Sequence, residues 1–254
     1  MVKNRLVLSL MLNDGLLVNS RRFVLNNVAE VGVMKQYLNP DSVDEIAIVD
    51  VSRRPSVALL CEKVREIVAG CFVPVSVGGG VRTFEDAQLI FKNGGDKIIV
   101  NTLFYLDRSV LAQIRDTYGK QSIVLSLDLQ KIGGEYIGCH TCGTVNSGVG
   151  LLELLREAEE FGVGEILVRS MDRDGVGQGY DTELLRLAVS HTTIPVVAAG
   201  GVGNFHHLGE GIDLGAQAVS VGNLFHFVGE RLSTAKAIIN DSMGTRAFPP
   251  AWNH

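Results

Sequence analysis

The sequence repeats itself once. "VPVSVGGGVRTFEDAQLIFKNGGDKIIVNTLF" (73–104) lies over "IPVVAAGGVGNFHHLGEGIDLGAQAVSVGNLF" (194–225) without a gap. Pro74 meets Pro195, Gly79-Gly80-Val81 meets Gly200-Gly201-Val202, and Leu103-Phe104 meets Leu224-Phe225. "VDEIAIVDVSRR" (43–54) faces "VGEILVRSMDRD" (163–174), and "VLSLMLNDG" (7–15) faces "VLSLDLQK" (124–131). Three segments keep a nearly constant offset of about 120 residues, far above the period of solenoid repeats. The chain is a duplicated half-domain.

Each half reads as four strand-then-helix units. The runs 5–10, 45–50, 73–77, 96–100, 122–127, 165–169, 194–198 and 217–221 are apolar almost throughout. Parallel strands buried on both faces have that pattern. Helical periods such as "PSVALLCEKVREIVA" and "GLLELLREAEEFG" lie between them. Eight units closed on themselves predict an α/β fold, a (βα)8 TIM barrel with internal half-barrel duplication. The 254 residues then form one domain, 1–254, with half-barrels at about 1–120 and 121–254. An open doubly wound sheet would place one glycine-rich turn near the first strand, not two far apart.

Composition excludes several roles. A net charge of −5 argues against a nucleic-acid or anionic-membrane surface, and no apolar run reaches membrane-spanning length. The opening residues carry Lys3 and Arg5 before a short apolar run that soon meets Asn13-Asp14-Gly15. With no small-residue cleavage site, this reads as a first strand rather than a signal peptide. Cys61, Cys71, Cys139 and Cys142 are too few for a disulfide scaffold, which fits a cytoplasmic protein.

A barrel of this type works at the C-terminal ends of its strands. Gly78-Gly79-Gly80 ends the third strand, and Gly200-Gly201 with Gly203 ends the seventh. Asn101-Thr102 ends the fourth, and Gly222-Asn223 ends the eighth. Glycine lets backbone N–H groups approach an anion, so two such clusters half a barrel apart suggest a ligand with phosphate at both ends. The loop "SMDRDGVGQGYD" (170–181) could close on one of them. No cofactor or metal is expected. Cys139-His140-Thr141-Cys142 in the loop after strand five lacks a fourth zinc ligand, and His206-His207 and His226 read as loop or surface histidines.

"VGGGVRTFEDA", "VNTLF", "GEILVRSMDRDG", "GQGYDTELLR", "AAGGVGNF" and "FHF" on a doubled barrel resemble HisF, the synthase (cyclase) subunit of imidazole glycerol phosphate synthase. The likeness runs from Arg5 to about Phe227, and "DRDG" followed by "GYDTEL" is closer to HisF than to the sister isomerase HisA. The resemblance implies a HisH-like glutaminase at the N-terminal face, ammonia passing up the barrel interior, and cyclisation of a bisphosphate substrate at the top. It places phosphate on Gly80, Asn101 and Thr102, and on Asp174, Gly175, Gly201, Gly222 and Asn223. It makes Asp128 the second-half catalytic carboxylate. It makes Arg5, Glu45, Lys97 and Glu165 a salt-bridged ammonia gate, with Asp96 beside it at a position that contacts the glutaminase.

Three positions depart from the family pattern. The first-strand carboxylate is replaced by Met11, the lysine of the following loop by Asn19, and a small polar residue late in strand six by Arg169. Asn223 also stands where a small hydroxyl is usual. Met11 has no proton to give, and a positioned acid or base typically supplies about 10²–10⁴-fold. Asp50, ending strand two, is the available substitute. The pattern therefore points to reduced or altered cyclase chemistry with the conduit kept. HisF-like paralogues beside surface-polysaccharide genes, with a glutaminase and a separate sugar-amidating enzyme, are of this kind. The alternative is a working HisF of histidine biosynthesis.

Overall fold

The structure, a computed structural model, describes residues 4–29, 43–69, 72–222 and 232–241. Asn223, His226 and Cys71 lie outside them, as does the "FHF" stretch.

Eight strands pair side by side in parallel, and the last closes on the first. They are β1 (Arg5–Asn13), β4 (Glu45–Asp50), β5 (Val75–Gly78), β6 (Lys97–Val100), β7 (Ile123–Ile132), β10 (Glu165–Ser170), β11 (Val196–Ala199) and β12 (Ala218–Val221). β1 pairs with both β12 and β4, and β10 with both β7 and β11, so the ring is complete. The fold is a (βα)8 barrel, and all eight runs read from the sequence become its staves.

Strand alternation sorts the side chains by size. Leu6, Leu8, Leu10 and Leu12 of β1, Ile46 and Ile48 of β4, and Ile123, Leu125, Leu127 and Leu129 of β7 join the outer core under the helices. The intervening positions form a separate inner cluster of Val7, Ala47, Ile99, Val124, Leu167, Val197, Ala199 and Ala218. Period-two alternation on a closed sheet puts one set inside the ring and one outside. Bulky branched chains fill the wide outer layer. Smaller ones fill the narrow interior.

Helices α1 (Val57–Val68), α2 (Phe84–Lys92), α3 (Thr102–Leu106), α4 (Arg108–Tyr118), α5 (Leu151–Phe161), α6 (Thr182–Ser190), α7 (Phe205–Asp213) and α8 (Leu232–Asp241) connect or flank the strands. Several begin on a side chain that accepts an otherwise orphaned N–H. Ser56 caps α1, Asp181 caps α6 and Asn204 caps α7, while Thr83 and Asp86 form a reciprocal capping box on α2. None of the described helices is long and apolar enough to cross a membrane.

Two excursions were not read from the sequence. β1 turns back at Asp14-Gly15 into the antiparallel strands β2 (Leu16–Arg21) and β3 (Val24–Ala29). Its counterpart in the other half, β7, runs on to Ile132 and returns through β8 (Glu135–His140) and β9 (Val145–Gly150). Both ribbons stand at the C-terminal rim, so each half-barrel carries a hairpin over the mouth. Cys139 and His140 accordingly lie in a strand, not a loop, and Asn19 pairs with Asn26 inside the first ribbon.

Candidate functional site

At the N-terminal mouth, four charged side chains form a closed ring. Arg5 Nη1 is 2.8 Å from Glu45 Oε2, and its Nη2 is 2.5 Å from Glu165 Oε1. Lys97 Nζ lies 3.1 Å from Glu45 Oε2 and 3.0 Å from Glu165 Oε2. Each cation bridges both acids, which is how buried charge is kept neutral. Ser76 Oγ donates to Glu45 Oε1 at 2.5 Å, filling an acceptor position the cations leave. Burial opposes the Arg5 charge, but Glu165 and Glu45 outweigh it and raise its pKa. The sequence placed these residues on four strand ends, and the structure makes them one network. Asp96 is partly committed beside it, since its Oδ2 accepts from the Val75 N–H at 2.8 Å.

The opposite mouth holds a cleft between the ends of β1, β10, β11 and β12. Ser9, Met11, Arg169, Asp174, Gly175, Gly200, Gly201, Ser220 and Gly222 line it. The described members of the second-half cluster therefore come together. The loop 171–181 lies across them, with the Gly179 N–H donating to the Gly201 carbonyl at 2.8 Å. A Cβ on Gly201 would sit 2.2 Å from the Gly179 carbonyl oxygen, so the two glycines let the loop and the strand end touch. Asp174 is tied to the first ribbon, accepting the Phe23 N–H at 3.1 Å on its carboxylate and the Arg22 N–H on its carbonyl.

The first-half cluster is differently placed. Asn101 Nδ2 donates to the carbonyls of Ser126 and Cys139 at 3.0 and 3.1 Å, and more distantly to Asp128 Oδ2 at 3.4 Å. Thr102 Oγ1 accepts the Thr141 N–H at 3.0 Å, and Gly80 packs close to Pro55. These side chains hold the second ribbon down onto the rim. The Thr141 N–H takes an acceptor position of the Thr102 hydroxyl, not its O–H donor.

Asp128 points inward where β7 passes from the barrel into the second ribbon, and it is 7% exposed. Burial pushes its carboxyl above the usual carboxylate range; Arg169 pulls against this and Asp174 adds to it. Among the described residues its Oδ1 has no hydrogen-bond partner, and it stands 3.8 Å from Arg169 Nη1, within ion-pair reach but too far for a hydrogen bond. Met11 faces the same interior on β1, and the Ser20 hydroxyl points at its sulfur from 3.7 Å. Asp50 does not substitute for it. Asp50 continues the outward series of Ile46 and Ile48, and its Oδ1 accepts from both the backbone and the hydroxyl of Ser52. Strand parity alone, counted from Glu45, could have shown this.

Among the described residues no three of His, Cys, Asp and Glu are grouped to hold a metal ion. Cys139 is buried, Cys142 is exposed, and His140 stacks on Tyr105 with centroids 5.0 Å apart. Sequence reasoning gave His207 no role beyond the surface. Its Nδ1 accepts the Gly203 N–H at 3.1 Å in the first turn of α7, beside the second cluster.

The chain is similar to one family and to three individual proteins. A profile of the family described as "Histidine biosynthesis protein" matches residues 9–229. The chain is 34% identical over 244 residues to "Imidazole glycerol phosphate synthase subunit HisF" of Chlorobaculum parvum, covering 95% of this chain and 97% of that one. It is 33% identical to the protein of the same name from a Thermotoga species, covering 89% and 90%. A third, from Pyrobaculum aerophilum, is 40% identical over 189 residues, 74% of each chain.

Proposed function

Because the chain belongs to the histidine biosynthesis protein family, as a HisF-type barrel, we propose that it is the ammonia-receiving subunit of a cytoplasmic glutamine amidotransferase complex. A glutaminase of the HisH kind docks at the N-terminal face, and ammonia enters through the ring of Arg5, Glu45, Lys97 and Glu165. The interior above that ring is apolar, which suits a neutral molecule better than ammonium. A phosphorylated ligand sits at the C-terminal mouth. Its phosphate groups rest on Asp174, Gly175, Gly201, Gly222 and Asn223, and across the barrel on Gly80, Asn101 and Thr102.

The observation that carries this reading is the contrast between the two mouths. The lower one has all its charges paired in a closed ring. At the upper one, Asp128 is the one carboxylate that the described barrel strands turn inward, and Asp174 of the loop beyond is held by the Phe23 N–H. Imidazole formation, by contrast, calls for proton transfers on two sides of one substrate. A thioether cannot supply the second. Cyclase chemistry is therefore reduced or altered, and ammonia is passed to another acceptor, such as a separate enzyme that amidates a sugar.

The test measures imidazole glycerol phosphate formation with ammonia supplied directly, then with glutamine and a glutaminase. Very low turnover by the first route, with glutamine hydrolysis intact in the complex, is expected. Ample turnover, or rescue of a histidine auxotroph lacking HisF, would instead identify a working histidine-pathway subunit. The retention of Asp128 favours that second reading.

A further inference from the structure

Two departures that lie 158 residues apart in the sequence line one cleft: Met11 on β1 and Arg169 on β10. The Arg169 side chain is 13% exposed. Its one charged contact is Asp128 at 3.8 Å, and none of its five N–H donors has a hydrogen-bond acceptor among the described residues. A Cβ on Gly200 would lie 3.3 Å from the Arg169 Cγ, so the Arg169 stem runs beside the glycine-rich end of β11. A largely enclosed guanidinium that no protein acceptor holds, and that faces the cleft, has its donors free for an anion that enters. Asp128 Oδ1, in the same place, has no hydrogen-bond donor among the described residues.

We propose that Arg169 is a specificity-determining residue that recognises an oxyanion of the ligand at the centre of this mouth. A planar fork of donors suits a phosphate or carboxylate oxygen pair, and Met11 leaves that space free of a second negative charge. The exchange of a carboxylate for a thioether at position 11 and of a small polar residue for Arg169 both move the cleft toward positive charge. Together they change what the mouth selects, from a group that needs two carboxylates around it to one that carries negative charge itself. This rests on the proposed ligand site but names the group that distinguishes its ligand from the family's.

Calorimetric titration with inorganic phosphate, and separately with malonate, tests it on the intact chain. Arg169→Ala is expected to weaken whichever oxyanion the wild type binds by roughly tenfold or more. Arg169→Lys should recover part of the loss, and Met11→Asp should weaken binding by giving the guanidinium an internal partner. The arm that responds says whether the recognised group is a phosphate or a carboxylate. If Arg169 merely neutralises Asp128, Arg169→Ala lowers the melting temperature, Asp128→Asn restores it in the double variant, and oxyanion affinity does not move. That result overturns the inference and leaves the proposed function standing. A wild-type protein that binds neither probe overturns both.

Discussion

On the proposed function Met11 decides more of the chemistry than any other single residue, because it stands where the resemblance places one half of an acid/base pair. Its sulfur meets the Ser20 hydroxyl, so the position is accommodated rather than vacant. Met11→Asp is expected to raise ammonia-dependent imidazole glycerol phosphate formation by about tenfold or more, within the range a positioned carboxylate supplies. Arg169 would draw the introduced carboxylate toward itself. The double change Met11→Asp with Arg169→Ser should therefore exceed the product of the single effects, a non-additivity expected of neighbours. Initial rates of the four proteins under saturating ammonia measure it, and a flat series would remove Met11 as the cause of the low turnover proposed. Much of this was legible in the sequence: Asp128 and Met11 stand opposite one another in the repeat. What was not legible was direction. Asp50 looked available until the alternation of β4 turned it outward onto Ser52.

The elements were legible where a single period carried them and missed where turn chemistry did. Eight apolar runs announced eight staves. The two rim ribbons were announced only by Asp14-Gly15 and Gly133-Gly134, whose paired positive φ values make hairpin turns that fit strand twist. The first turn of α7 was also missed, and it carries a pH-dependent contact. Burial lowers the His207 pKa below its usual 6.5, His206 adds to this, and Glu210 opposes it. A histidine whose folded pKa is depressed contributes stability that is present above its unfolded value, about pH 6.5, and is lost as pH falls through the folded value. Protonation at Nδ1 also takes the acceptor from the Gly203 N–H. Melting temperature should thus fall on acidification below about pH 6.5 by more in the wild type than in His207→Asn, whose side-chain oxygen can still accept. Parallel pH profiles of the two proteins would remove this role from His207.

Across the whole molecule the duplication is symmetric in backbone and asymmetric in charge. Glu45 and Glu165 occupy equivalent places in the two halves, so the barrel inherits two opposed carboxylates at its lower mouth. The cations come from the first half alone, Arg5 on β1 and Lys97 on β6, and each reaches both acids. Removing Lys97 leaves one buried and one partly buried carboxylate, Glu45 and Glu165, sharing one guanidinium. Breaking a fully buried pair costs about 3–5 kcal/mol, and because Arg5 stays bonded to both acids, Lys97→Ala should cost less, about 2 kcal/mol. The functional effect is separable from that cost. If the ring meters ammonia, glutamine hydrolysis by the docked glutaminase continues in Lys97→Ala, while the ratio of product aminated to glutamine consumed falls and ammonia accumulates in solution. The measurement is that ratio in the reconstituted complex, taken below the variant's melting temperature so that lost folding cannot imitate lost coupling. An unchanged ratio with a lowered melting temperature would make the ring a structural clasp at the base of the barrel and nothing more.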